Sequence, residues 1–161
     1  MYRFALGRAS KTIFQNTDDQ KLFRRAGILS GRVPSCVVSG SGVDLELFRK
    51  TVIPAGGQRF LMIARLLGDK GVREYAKSEA KIRASNPNVQ FELVGWIDEN
   101  PDSISQEELD TWVEQGHVEF LGRLDDVRPA IAKSTVYVLP SYREGTPRTV
   151  LEAMAMGRPI I

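Results

Sequence analysis

A chain of 161 residues holds one ordinary domain and part of a neighbour, and its 42% hydrophobic and 26% charged residues give the balance of a soluble protein able to bury a core. The net charge of +2 gives no global signal for nucleic acid, and a lone cysteine, Cys36, excludes an internal disulfide and a cysteine-rich zinc site. No apolar run is long enough to span a bilayer, and residues 1–10 lack the apolar stretch of a secretory leader, so a cytoplasmic protein is expected.

Residues 1–34 carry Arg3, Arg8, Lys11, Lys21, Arg24, Arg25 and Arg32 against only Asp18 and Asp19. Such a segment can rest on anionic lipid headgroups, although a solvated helix face near a domain boundary is the plainer reading. Within it, residues 11–14 predict a strand and 18–26 a helix. After Pro34 another strand is expected at 36–39, then a loop through Gly40, Gly42, Val43 and Asp44.

From residue 59 the pattern becomes regular. Strands are predicted at 59–65, 89–95, 117–121 and 135–140, each apolar almost throughout, as suits parallel strands covered on both faces. Helical spacing runs through 70–85 and stops at Asn86 and Pro87. Ser105 and Glu108 read as a capping box opening a helix through Leu109, Trp112 and Val113 that Gly116 closes. Shorter helices are expected at 126–133 and at 147–156, the latter with Pro147 in its first turn and Gly157 past its end. Strand and helix in alternation predict an α/β fold with a Rossmann-like, open, mostly parallel sheet and helices on both faces. Ligands in such sheets sit beyond the carboxyl ends of the strands, so the strand-to-helix loops are where activity is expected. The chain stops inside the apolar run Pro159, Ile160, Ile161, which reads as an excerpt from a larger protein.

The loop after the strand at 135–140 contains Glu144, Gly145 and Thr146, and the next helix carries Glu152. A helix N-terminus, equivalent to roughly +0.5 charge, would face the ligand crevice there. Carboxylates accept hydrogen bonds from sugar hydroxyls, so a ligand with both phosphate and hydroxyl groups fits. Solvated glutamates account for the same residues equally well. Arg65 and Lys70 shift the balance. They follow the strand at 59–65, on the same expected sheet edge, and suit a diphosphate: Arg as a bidentate fork, Lys as a point charge.

Together these segments resemble the C-terminal domain of family 4 nucleotide-sugar glycosyltransferases, enzymes of the GT-B fold with two facing Rossmann-like domains. The resemblance rests on the Gly42, Val43, Asp44 linker, the Arg65 to Gly71 loop, the Gly122, Arg123, Leu124 turn, and Glu144 with Glu152 followed by Ala153 and Met154. It implies that residues 1–34 end an N-terminal domain with its linker, and that 35–161 form a donor-binding domain truncated at its C-terminus. It implies that Arg65 and Lys70 hold the donor diphosphate with backbone help from Gly145 and Thr146. Glu144 would contact the donor sugar, as the candidate catalytic residue but not as an assigned nucleophile. Glu152 would bind the ribose, and Gly95, Arg123 and Leu124 would wall the nucleobase pocket.

Thr146, Pro147 and Arg148 depart from the commoner family pattern and resemble transferases of bacterial surface-polysaccharide assembly. The implied activity is retaining transfer from a nucleoside-diphosphate-sugar to a saccharide or lipid-linked acceptor. It needs no cofactor and no obligatory metal, involves no nucleic acid, and would place the full-length enzyme at the inner face of the cell membrane. The isolated excerpt is expected to be inactive. A sugar-nucleotide epimerase of the same fold and a non-catalytic nucleotide-binding module are the alternatives.

Trp96 can stack on a base or cover a core edge, and the core edge is the expectation. His117, the single histidine, is expected to be satisfied or exposed. Asp98, Glu99, Asp102, Glu107 and Glu108 are expected to serve turns and helix starts. No Gly-x-Gly-x-x-Gly occurs, which disfavours a dinucleotide dehydrogenase.

Overall fold

The structure, a computed structural model, describes residues 2–161. It divides into two compact units, one containing the chain up to Gly42 with Glu144–Arg148, the other Val43–Arg143 with Thr149–Ile161.

The first unit contains α1 (Tyr2–Leu6), β1 (Thr12–Phe14), α2 (Thr17–Arg25) and β2 (Ser35–Val37). Asn16 caps α2, its side chain accepting from the Asp19 N–H at 2.7 Å. β1 and β2 pair in parallel, so the domain boundary expected after residue 34 would cut this sheet; the unit instead runs on to Gly42. Phe14, Leu29 and Val33 form the small core, with Phe23 edge-on to Phe14 at 5.5 Å.

The second unit contains β3 (Arg59–Ile63), a 3-10 turn (Gly68–Lys70), α3 (Val72–Ser85), β4 (Gln90–Val94), α4 (Gln106–Glu114), β5 (Glu119–Gly122), α5 (Arg128–Lys133), β6 (Val136–Tyr137) and α6 (Arg148–Ala155), whose first residue belongs to the other unit. The strands lie in the order β5-β4-β3-β6 and every pairing is parallel, so all their carboxyl ends share one edge. This is the α/β architecture expected from the alternation.

Side chains alternate across each strand, and that period sorts the core into two layers. Met62, Phe91 and Leu93 pack with Val72, Tyr75 and Ala76 of α3 and Leu109 of α4. Leu61, Ile63 and Val94 pack with Ala130 and Ile131 of α5 and Ala153 of α6. The Tyr75 hydroxyl reaches the carbonyls of Phe60 and Glu92, both at 3.0 Å, and burial pushes its pKa well above the ordinary phenol value.

The strand expected at 135–140 is shorter than its apolar run. Regular pairing is confined to Val136 and Tyr137. Single hydrogen bonds from Val138 to Leu61 (2.8 Å) and from Leu139 to Ile161 (2.9 Å) continue its line. His117 Nδ1 lies 2.7 Å from Glu79 of α3, so the histidine is satisfied, as expected.

Candidate functional site

The carboxyl edge of the sheet is built from loops that leave β3, β4 and β5. After β3, Ala64 and Leu66 donate backbone hydrogen bonds to Val94 and Trp96, both at 3.0 Å, and carry the β3–β4 pairing past the strand ends. Arg65 alternates with them and is exposed. Its Nη1 bonds Asp98 Oδ2 at 3.1 Å, with 47% of the Arg65 and 24% of the Asp98 side chain accessible. Lys70 closes the 3-10 turn and is half-buried. Gly71 follows with φ +73°, the left-handed region, and a Cβ there would collide with the Pro140 carbonyl. Tyr142 N–H donates to Asp69 O at 3.0 Å, so the Lys70 loop is tied to the loop after β6.

The β4 and β5 ends meet through a bulge. Leu93 pairs with Phe120 but Val94 pairs with Gly122, which stands at φ +69°. The bulge redirects the chain so that the Arg123 guanidinium lies over the Trp96 ring, 4.8 Å from its centre. Trp96 is 40% exposed, so the expectation that it covers a core edge is overturned. A bulky residue following the apolar run of β4 read as core, yet Trp96 lies two residues past the end of the strand. Gly95 is buried, and a Cβ on it would collide with the Ala64 carbonyl. Leu124 packs on the layer that includes Val94 and Ile131.

Glu152 sits in α6 and is only 6% exposed. The reading of this residue as a solvated helical glutamate is overturned by that burial. Thr149, one turn earlier on the same helix face, makes a 2.6 Å hydrogen bond with the Tyr137 hydroxyl, which donates in turn to the Ile63 carbonyl at 3.1 Å. The first turn of α6 is thereby fastened at the carboxyl end of β3. Arg65, Lys70, Gly95, Arg123, Leu124 and Glu152 therefore belong to one unit. Within it, loops at the shared strand ends carry the first five, and Glu152 lies on the helix fastened there.

Glu144, Gly145 and Thr146 group with the first unit. There the space beside Gly145 is filled by Gln15, whose Oε1 lies 2.7 Å from where a Cβ would stand. Thr146 Cγ2 lies 2.6 Å from the corresponding point on Gly40.

Sequence reasoning missed what Asp98 and Asp102 do. Both serve turns as expected, and both also grip the loop after β3. Asp102 Oδ2 accepts from Asp69 N–H at 2.8 Å, and Asp102 O from Gly68 N–H at 2.9 Å. Glu108, the third residue past the Ser105 cap, also has a second role. Ser105 Oγ accepts its N–H at 3.1 Å, while Arg73 holds its carboxylate at 2.6 and 2.9 Å and keeps its pKa below the ordinary value. The alternation of Asp98, Asn100 and Asp102 was the available signal, but their contact with residues 65–69 spans more than 30 positions and has no local pattern.

Residues 57–161 match the family model described as glycosyl transferases group 1. The chain is 33% identical over 174 aligned residues to the N,N'-diacetylbacillosaminyl-diphospho-undecaprenol alpha-1,3-N-acetylgalactosaminyltransferase of Campylobacter jejuni, covering all of this chain and 44% of that protein. Among solved structures, sucrose-phosphate synthase from Thermosynechococcus elongatus superposes with a TM-score of 0.79 at 25% identity, covering 98% of this chain and 41% of that one. Anabaena HepE, solved with UDP and glucose, superposes with a TM-score of 0.77 at 22% identity, covering 99% and 45%. This chain spans under half the length of each of these proteins.

Proposed function

This chain belongs to the group 1 glycosyl transferases, and on that premise we propose that the protein transfers a sugar from a nucleoside-diphosphate donor to a saccharide or lipid-linked acceptor in surface-polysaccharide assembly. Transfer retains the anomeric configuration. The diphosphate is held by Arg65 and Lys70, and no obligatory metal is needed because the two cations offset its charge. Glu152 takes the ribose hydroxyls, and Gly95, Arg123 and Leu124 border the base. The Campylobacter relative's name supports a lipid-linked acceptor, and with it a working position at the inner membrane face. No helix among the described residues is long and apolar enough to cross a membrane.

The observation that carries this reading is the buried Glu152 on a helix fastened to the strand ends that bear Arg65. The sheet edge where α6 is pinned is where this fold takes ligands.

A thermal-shift screen of nucleoside diphosphates and their sugars tests the site. A ligand at a hundred times its Kd stabilises the native state by about 2.7 kcal/mol. Glu152→Gln is expected to weaken the best ligand roughly tenfold, the cost of about one hydrogen bond to a charged acceptor. Chelation with EDTA is expected to leave binding unchanged. Undiminished affinity in Glu152→Gln would remove the ribose assignment. The 161-residue chain alone is expected to bind donor without turnover, because transfer also requires groups that position the acceptor.

A further inference from the structure

Residues 96–104 run alongside the Arg65 loop for its whole length. Leu66 N–H donates to Trp96 O at 3.0 Å, Ile104 N–H to Leu66 O at 2.8 Å, and Leu67 bridges Ser103 in antiparallel fashion. Ser103 Oγ accepts from Asp98 N–H at 3.0 Å and donates to Leu66 O at 3.1 Å. Gly68 and Asp69 N–H groups go to Asp102. The segment is itself stiffened by Asn100, whose N–H bonds Asp98 Oδ1 at 3.0 Å and whose Oδ1 accepts Asp102 N–H at 2.9 Å. Two carboxylates in one nine-residue stretch of chain thus fix two parts of the neighbouring loop, a side chain and a turn.

We propose that Asp98 is a positioning residue for donor binding: it holds the Arg65 guanidinium in place before the diphosphate arrives, while Asp102 fixes the turn that ends in Lys70. The proposal rests on the assignment of Arg65 and Lys70 to the diphosphate. Arg65 is nearly half exposed and has long rotamer freedom to lose when it engages a ligand. Asp98 takes one hydrogen bond from Nη1 alone, and no other hydrogen bond engages the guanidinium among the described residues. The remaining N–H groups stay available to fork onto phosphate oxygens. Asp98 itself cannot swing away with the guanidinium, because Asn100 and Ser103 hold its carboxylate and its backbone. The ordering cost is therefore met in the folded protein and not at the moment of binding.

The probe is inorganic pyrophosphate, which needs no knowledge of the base, titrated calorimetrically into the purified protein and its variants. Asp98→Asn keeps an acceptor for Asn100 and removes the charge that holds Arg65. It is expected to weaken pyrophosphate about three- to tenfold, the range that corresponds to ordering one long side chain. Asp98→Glu is expected to restore part of that loss. In the unmutated protein, side-chain NMR of the Arg65 Nε–H should report an ordered group, and in Asp98→Asn a mobile one. The spectrum of the unmutated protein does not depend on a variant folding well.

Arg65→Ala separates the two levels of the argument. If it leaves pyrophosphate affinity unchanged, the diphosphate assignment itself is wrong. If it weakens pyrophosphate while Asp98→Asn binds as tightly as the parent or tighter, the positioning role is overturned. A mobile Arg65 in the ligand-free parent protein overturns it as well.

Discussion

The two ends of β3 each carry an arginine paired with a carboxylate, and the pairs serve different ends. At the amino end Arg59 is paired with Glu92 of β4, whose side chain is 4% accessible while that of Arg59 is 33% accessible. Past the carboxyl end, Arg65 meets Asp98 with both groups more open to water. The amino-end pair neutralises a carboxylate that the sheet has buried, a structural necessity. The carboxyl-end pair leaves most of a guanidinium available. An open cleft of about 710 Å³ also lies at the amino edge, lined by Arg59, Gln90, Lys133 and residues of the loops nearby. Its size does not make it the site, since its rim lacks anything like the gripped loop at the opposite edge. Charge occurs at both edges, and only the carboxyl edge holds it in a braced loop.

Breaking the amino-end pair is the largest effect expected. Arg59→Ala strands the Glu92 carboxylate and should destabilise the protein by about 3 kcal/mol in denaturant titration, with pyrophosphate affinity unchanged in the folded fraction. Loss of pyrophosphate binding at constant stability would erase the contrast between the two ends. Gly71→Ala tests the carboxyl edge. A side chain forced into the left-handed region against the Pro140 carbonyl should cost about 2 kcal/mol and also weaken pyrophosphate by displacing Lys70. A stable variant with full affinity would show that the tight approach of these loops is unimportant.

The smallest effect sharpens the picture beside the site. Arg73 hydrogen-bonds Glu108 and lowers its pKa, so the pair stabilises the fold above the ordinary value of 4.5 and that contribution fades as pH falls through the lowered one. Both side chains are about a third exposed, which screens the pair to under about 1 kcal/mol. Glu108→Gln should therefore flatten the acid limb of a stability-versus-pH curve slightly, and an unchanged limb would mean that the pair contributes nothing there.

Periodicity carried most of the fold. Continuous apolar runs separated by helical spacing gave the strand positions, their parallel order and the edge where the loops gather, because burial on two faces leaves no polar alternation. Ser105 and Asn86 marked helix ends for local hydrogen-bonding reasons, and local reasons are visible in a sequence. At the site, Arg65, Lys70 and the Gly122 to Leu124 turn were legible as strand-end residues, and their shared edge followed from the alternation. Trp96 misled, since the size of an aromatic ring does not say which face of a strand end it takes.

By itself, then, the sequence determined the order of strands and helices, the caps, and the residue types available at each strand end, all consequences of neighbours a few positions apart. The tertiary structure alone decided that Glu152 is buried, that Arg123 covers Trp96, and that Asp98 and Asp102 hold the loop after β3. Those outcomes depend on which surfaces meet once the sheet closes over its helices, and contacts between segments far apart in the chain leave no period in the sequence that makes them.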